Sequence, residues 1–320
     1  MYLLDIKIVP LTSENYSSVV RNDKKELPDE SVLRRVEKKA SSDTVLYNFG
    51  VISEGEYVGY GRFVSGTWDP VLKAGHAEMM MIVNEEWRNK GIGRMSLQEI
   101  EQLAEKNHIQ VLHTNIQDSN DMDLEWFKQK GFEVRSHIFE SQLVLNDFNN
   151  DQYHFNELEA LGIHFKTLSD FEFDEGSTNR FWDLYWSLVA DVPGVGDTPR
   201  QSNERMNSLV EVFDKHGFIL ALDGEKWIGL TMILNESDDC YYNSMTGVVQ
   251  DYRGKGIALA LKLKAIEYAQ NNNGKYIRTN NDSNNASMLA VNKKLGYEAK
   301  SGFFSLVKNV AKVASTKHKI

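Results

Sequence analysis

The chain repeats itself. Residues Val83 to Glu133 can be laid without a gap on Val248 to Glu298, an offset of 248 − 83 = 165, and 14 of the 51 aligned pairs are identical. Average composition would leave roughly three. The matches include Val83, Arg88, Lys90, Gly91, Ile92, Asn120 and Gly131 with their partners. A period of this length is the size of a domain, so the 320 residues are expected to fold as two related domains. The apolar faces between the matches align less well, since Leu97 falls on Lys262, which leaves room for a local shift.

The pattern around the repeat is shared as well. Leu46–Val51 and Tyr57–Val64 flank Ser53-Glu54-Gly55-Glu56, and Phe218–Leu222 and Lys226–Leu234 flank Asp223-Gly224-Glu225; both read as hairpins. Met79–Val83 and Tyr241–Val249 read as buried strands, each leading through a glycine turn into a helix (Met95–Lys106, Leu259–Asn271). A strand, a short helix and a last strand follow in each half, and helical segments near Ser31–Ala40 and Asn179–Ala190 precede the hairpins. The expected class is α+β, a mixed sheet with flanking helices in each half. The polar, asparagine-rich stretch after Leu145 suggests an N-terminal domain over 1–148, a linker over 149–160 and a C-terminal domain over 161–320.

Composition narrows the function. Apolar residues at 41% and charged residues at 26% suit globular cores. The opening residues carry no leader pattern, and no stretch approaches the roughly 20 apolar residues of a membrane span. A cytoplasmic protein without a membrane partner is expected. One cysteine, Cys240, excludes an internal disulfide, and the eight histidines show no ligand spacing, so no metal is expected. A net charge of −10 argues against nucleic acid and fits a cationic acceptor. The aromatic run Phe181, Trp182, Tyr185, Trp186 has helical spacing and reads as core, and the basic tail Lys308–Ile320 as a frayed end.

Two glycine loops carry the chemistry. Arg88-Asn89-Lys90-Gly91-Ile92-Gly93, followed by Arg94, and Arg253-Gly254-Lys255-Gly256-Ile257-Ala258 both fit R/Q-x-x-G-x-G/A between a strand and a helix. Small residues let the backbone turn tightly, and the N–H groups at the helix start form an anion site suited to a pyrophosphate. Each loop is followed by an Asn (Asn120, Asn285) and then a Gly-aromatic pair (Gly131-Phe132, Gly296-Tyr297) at the same spacing.

With these motifs the sequence resembles the GCN5-related N-acetyltransferase (GNAT) family, and its tandem layout is similar to that of mycothiol synthase-like acetyltransferases. The resemblance covers most of each half and is fullest over Asn284–Tyr297. It implies two tandem acyl-CoA acyltransferase domains with acetyl-CoA as co-substrate. Two strands would part so that the pantetheine arm lies between them, with Val83 and Val248 at the matching strand positions. Asn120, Asn285 and the loop residues would hold the coenzyme. An amine of a small molecule or peptide would attack the thioester directly after losing a proton.

The sequence also departs from the family. Many members place a tyrosine acid four residues before the Gly-aromatic pair, where this chain has Phe127 and Asn292. Asn292 can donate a hydrogen bond but is not an acid. Candidate bases are Glu78 beside His76 in the first half, and Tyr242, Asp238, Asp239 and Asp191 in the second; Asp191 lies in the Gly/Pro-rich segment Ala190–Asp197. The second half is the expected catalytic one. Catalysis by both halves, or a coenzyme-sensing protein that does not turn over, are the alternatives.

Overall fold

The computed structural model describes residues 5–16, 30–40, 43–66, 72–153, 156–172, 174–193, 199–210, 213–237 and 239–310. They fall into two compact units, one of residues 1–116, 120–135 and 304–320, the other of 117–119 and 136–303. The units therefore interleave along the chain, where the sequence suggested a single linker at 149–160.

In the first unit, β1 (Ile6–Pro10), β2 (Val45–Ser53), β3 (Glu56–Ser65) and β4 (His76–Val83) are antiparallel neighbours in that order. β5 (Val111–Gln117) follows in parallel with β4, and residues 304–309 lie next to β5. Helices α1 (Glu30–Lys39), α2 (Ile92–Lys106) and α3 (Asp121–Gln129) accompany this sheet. Its core joins Phe49, Phe63, Met79, Ile100 and Leu112 to Leu306 from the far end of the chain.

The second unit holds most of β6 (Glu133–Val144), then β7 (Ile163–Thr167), β8 (Phe218–Asp223), β9 (Lys226–Ser237), β10 (Cys240–Val248), β11 (Tyr276–Asp282) and the start of β12 (Glu298–Asn309). Its strand order is β12-β6-β11-β10-β9-β8-β7. α4 (Asn156–Ala160), α5 (Glu175–Val189), α6 (Asn203–Val210), α7 (Ile257–Asn271) and α8 (Ala286–Lys294) belong to it. β6, the last strand of the first repeat, pairs antiparallel with β11 from Ile138↔Asp282 to Val144↔Tyr276. Its Leu143 is buried with Ile266 and Ile277. The first repeat thus supplies most of its final strand to the second unit, and the second repeat supplies the latter half of its own to the first. Phe181 and Trp182 are buried in the core of the second unit, as their helical spacing suggested.

The repeat is followed closely in space. α2 and α7 each have 15 residues and start at Ile92 and Ile257, so the 165-residue offset runs through them unshifted. Lys262 therefore occupies the place of Leu97, and the suspected shift within the helices is absent. The irregularity lies in the strand instead. β4 has 8 residues and β10 has 9. The β3–β4 ladder is unbroken from Gly59↔Val83 to Ser65↔Ala77. The β9–β10 ladder shifts register between Cys240 and Tyr241 and again between Asn243 and Met245. The second shift is a bulge that sets Ser244 outside the ladder, the kind of irregularity that re-aims a strand beside a site.

Candidate functional site

Both units open their sheets at the same place. β4 pairs with β5 only over His76–Glu78 against Val111–His113, and β10 pairs with β11 only over Cys240–Tyr242 against Tyr276–Arg278. β4 then runs on to Val83 and β10 to Val248, leaving backbone groups on that side without ladder partners. Each strand ends in a single 3-10 turn, Glu85–Trp87 or Gln250–Tyr252, before the glycine loop.

The loops are shaped by left-handed residues. Gly91 (φ 90°) and Gly256 (φ 81°) are the N-caps of α2 and α7, and neither offers a side chain to the first helical N–H groups. Asn89 and Gly254 also have positive φ, 61° and 76°. A Cβ built on Gly91, Gly254 or Gly256 meets no atom within 4 Å, so the space over the loop is open. Uncapped N–H groups facing open space at a helix start form an anion cradle.

The cleft of the second unit has a volume of about 360 Å³ and brings together Val248, Arg253, Gly254, Gly256, Ile257 and Ala258. Asn285 and Asp191 also line it. The cleft of the first unit, about 780 Å³, gathers Val83, Arg88, Asn89, Gly91, Gly93 and Arg94. Lys90 and Lys255 line neither, since their ammonium groups lie over the rings of Trp87 at 4.3 Å and Tyr252 at 4.7 Å. Ile92 is 1% exposed and anchors α2 in the core. Arg253 Nε donates to the Val248 carbonyl at 2.9 Å, and Arg88 Nε makes the longer contact of 3.5 Å to the Val83 carbonyl. The free end of Arg253 is ion-paired with Asp191, while Arg88 has no carboxylate partner among the described residues.

The family sequence profile described as acetyltransferase (GNAT) matches residues 12–132 and 181–297, most of the chain. The chain belongs to the GNAT family.

Solved structures agree in fold. A GNAT from Sphaerobacter thermophilus is similar with a TM-score of 0.68 at 16% identity, over 97% of both chains. A tandem GNAT protein from the clavulanic acid biosynthesis pathway gives 0.61 at 18% identity, over 96% of this chain and 99% of that one. The glucosamine N-acetyltransferase region of a fungal β-N-acetylglucosaminidase gives 0.67 at 12% identity, over 96% of this chain and 38% of that one. No curated protein sequence matches this chain.

Within this GNAT pair the remaining site candidates scatter. Asn120 and Asn285 are N-caps, accepting from Asp123 N at 3.1 Å and Met288 N at 3.3 Å; only Asn285 also borders a cleft. The spacing that marked these residues is therefore explained by helix starts. Asn292 is 2% exposed and donates to Asn281 Oδ1 at 2.6 Å, away from the cleft lining. Tyr242 lies on β10 before the bulge, its ring under the Arg278 guanidinium at 4.8 Å; burial raises its phenol pKa. Glu78 faces Arg62 at 3.7 Å on the sheet of the first unit. Beside it His76 Nδ1 lies 2.7 Å from His113 Nε2, and burial lowers the His113 pKa to about 4. Asp239 is paired with Lys275 at 2.8 Å. Asp238 and residues 194–197 lie outside the described residues.

Several cleft residues carried no sequence signature. Leu188 of α5 and Gly247 of β10 line the second cleft, and a Cβ on Gly247 would meet Leu188 at 3.1 Å. In the first cleft, Trp126 stands where the second has Val291 and packs against Gly93, whose Cβ would lie 3.4 Å from its ring. Among the described residues no three His, Cys, Asp or Glu side chains gather as a metal site, and no helix is long and apolar enough to cross a membrane.

Proposed function

We propose that the chain is an acetyl-CoA-dependent N-acetyltransferase that moves an acetyl group to an amine of a small molecule or peptide, with the second unit as the acting site. One observation carries this reading: β10 parts from β11 after three pairs, bulges directly afterwards, and ends at the open glycine loop. Residues 254–258, with Arg253, would hold the pyrophosphate, and the free edge of β10 the pantetheine amides, as in strand addition. The amine nitrogen attacks the thioester carbonyl carbon, the C–S bond breaks, and the thiolate takes up a proton.

Among the described residues no side chain is assembled as base or acid. Asp191 is held by Arg253, Tyr242 keeps its proton through burial, and Asn292 is turned to Asn281. The amine then loses its proton to water, so the rate rises with pH by about tenfold per unit below the acceptor's pKa. Release of free thiol from acetyl-CoA with a panel of amines tests the reading, and release with at least one amine is the expected result. The buried Asn292 and inert Phe127 favour the rival, a coenzyme-sensing protein; tight coenzyme binding without thiol release would establish it.

Asp191 gives a separate check. Its carboxylate occupies the guanidinium that a pyrophosphate would meet, so Asp191→Asn is expected to tighten coenzyme binding about threefold at low salt, read by calorimetry. Lost turnover with unchanged affinity would instead make Asp191 the base.

A further inference from the structure

Lys262 is a charge in a place built for an apolar side chain. It lies on the core face of α7, 1% exposed, where α2 has Leu97. Its ammonium donates to Asn243 Oδ1 at 2.7 Å and lies 4.9 Å from the centre of the Tyr297 ring. No carboxylate among the described residues pairs with it, and burial lowers its pKa to about 7. Burying an amine this way is unfavourable by several kcal/mol relative to a packed aliphatic residue, on the order of what a buried ion loses in solvation. Packing alone does not account for it.

What Lys262 holds is the bulge. The Asn243 amide nitrogen donates to the carbonyls of Met232 at 3.0 Å and Met245 at 3.1 Å, so one side chain ties the neighbouring strand to the far side of the bulge. It also donates to Thr231 Oγ1 at 2.9 Å, while its oxygen accepts from Thr246 at 3.1 Å as well as from Lys262. On the open side of β10, Thr279 Oγ1 donates to the Asn243 carbonyl at 2.9 Å. The first unit has Met79 at the ladder position of Asn243, Leu97 at that of Lys262, and no bulge in β4. Amine, amide and bulge occur together in one unit and are absent together from the other.

We propose that Lys262 is a positioning residue for acyl transfer: by holding the Asn243 amide it fixes the bulge of β10, and so aims the backbone N–H groups beyond it at the oxygen of a thioester lying in the splay. The proposal rests on the reading that the second cleft takes acetyl-CoA. A donor aimed at developing charge is worth about 10²–10³ in rate, which gives a core lysine a reason to be there.

The test uses the full chain with Gly91→Asp to silence the first loop, and acetyl-CoA labelled with ¹³C at the thioester carbonyl. Binding is expected to move the carbonyl resonance downfield, because a hydrogen-bond donor polarises the C=O. Adding Lys262→Met, which keeps length and suits the core, should leave coenzyme affinity within about threefold and remove about half or more of that displacement. Lys262→Gln retains an N–H donor and should recover most of it. A packing role alone would change stability and leave the displacement intact, so an unchanged displacement in a folded Lys262→Met chain overturns the proposal. If Lys262→Met does not fold, Thr231→Val, which removes another partner of the Asn243 amide, is expected to reduce the displacement, and no change there overturns it equally. If no bound resonance appears even without a Lys262 substitution, the reading of the cleft fails and takes the proposal with it, an outcome distinct from binding without a Lys262 effect.

Discussion

Gly256→Asp is expected to lower coenzyme affinity at the second cleft at least tenfold and to abolish thiol release, whereas Gly91→Asp leaves thiol release largely intact. Two effects add at position 256. The residue sits at φ 81°, a backbone conformation that aspartate adopts only with strain. Its new carboxylate would enter the open space over the first N–H groups of α7, where the pyrophosphate is proposed to lie. Tenfold corresponds to about 1.4 kcal/mol, well within what one misplaced charge costs at an anion site. Because a Cβ there meets no atom within 4 Å, the variant should fold, which circular dichroism would establish first. Calorimetry of the unsubstituted chain should approach two coenzyme sites, falling to one in each variant. Loss of thiol release in Gly91→Asp alone would reverse the two units and make Glu78 the leading base. Equal partial losses would point to two working sites.

The asymmetry between the units has a physical basis beyond the loops. The first unit keeps the splay and the open loop, with no carboxylate on Arg88 among the described residues and a larger cleft, so under the proposed reading it would still hold a coenzyme. It lacks the bulge, and Phe127, packed edge-on against Phe132, offers no proton donor to the cleft. Retaining the binding loop while losing the irregular strand fits a site that binds without turnover, because tight binding needs the anion cradle whereas acceleration needs donors aimed at the transition state.

Much of this was legible in the sequence because its signals are local. The glycine loops need left-handed residues at fixed spacing, and the structure has them at Gly91, Gly254 and Gly256. The strand–turn–helix order follows from periodicity, and the helix at Ile257–Asn271 begins two residues before the expected Leu259. The short strands Ile6–Pro10 and Ile163–Thr167 were not foreseen, since five residues give little periodicity to read. The bulge was hidden for another reason. It adds one residue to β10 just ahead of Val248, where the aligned segment begins, so the ungapped match from Val83 onward gives no sign of it. Lys262 looked like a misalignment because a charge on an apolar helix face has no local rationale; its reason lies on β10, nineteen positions earlier in the chain.

Gly302→Val should produce the largest loss of stability, and it tests the exchange of final strands directly. In an ordinary succession of two domains the end of the second repeat would matter only to its own sheet edge. Here residues 298–303 of β12 lie beside β6, the strand that the first repeat gives to the second unit. Gly302 N donates to Asp118 Oδ2 at 2.7 Å, and its carbonyl accepts from Asp118 N at 3.0 Å. A Cβ on Gly302 would stand 2.1 Å from the Ile138 carbonyl oxygen and 2.6 Å from Phe139 Cα. Both obstacles are backbone, so no rotamer relieves them and the two strands must separate. Separation breaks the Asp118 contacts and disturbs β6, whose Leu143 is packed into the second core. Overpacking against backbone costs about 3 kcal/mol or more, which for a unit of this size lowers the thermal midpoint by about 6–12 °C. Calorimetric scanning of Gly302→Val beside Gly302→Ala, with a loss expected in both and the larger in Val, would read it. A midpoint unchanged in Gly302→Val would mean that β12 does not run against β6, and each repeat would then keep its own last strand.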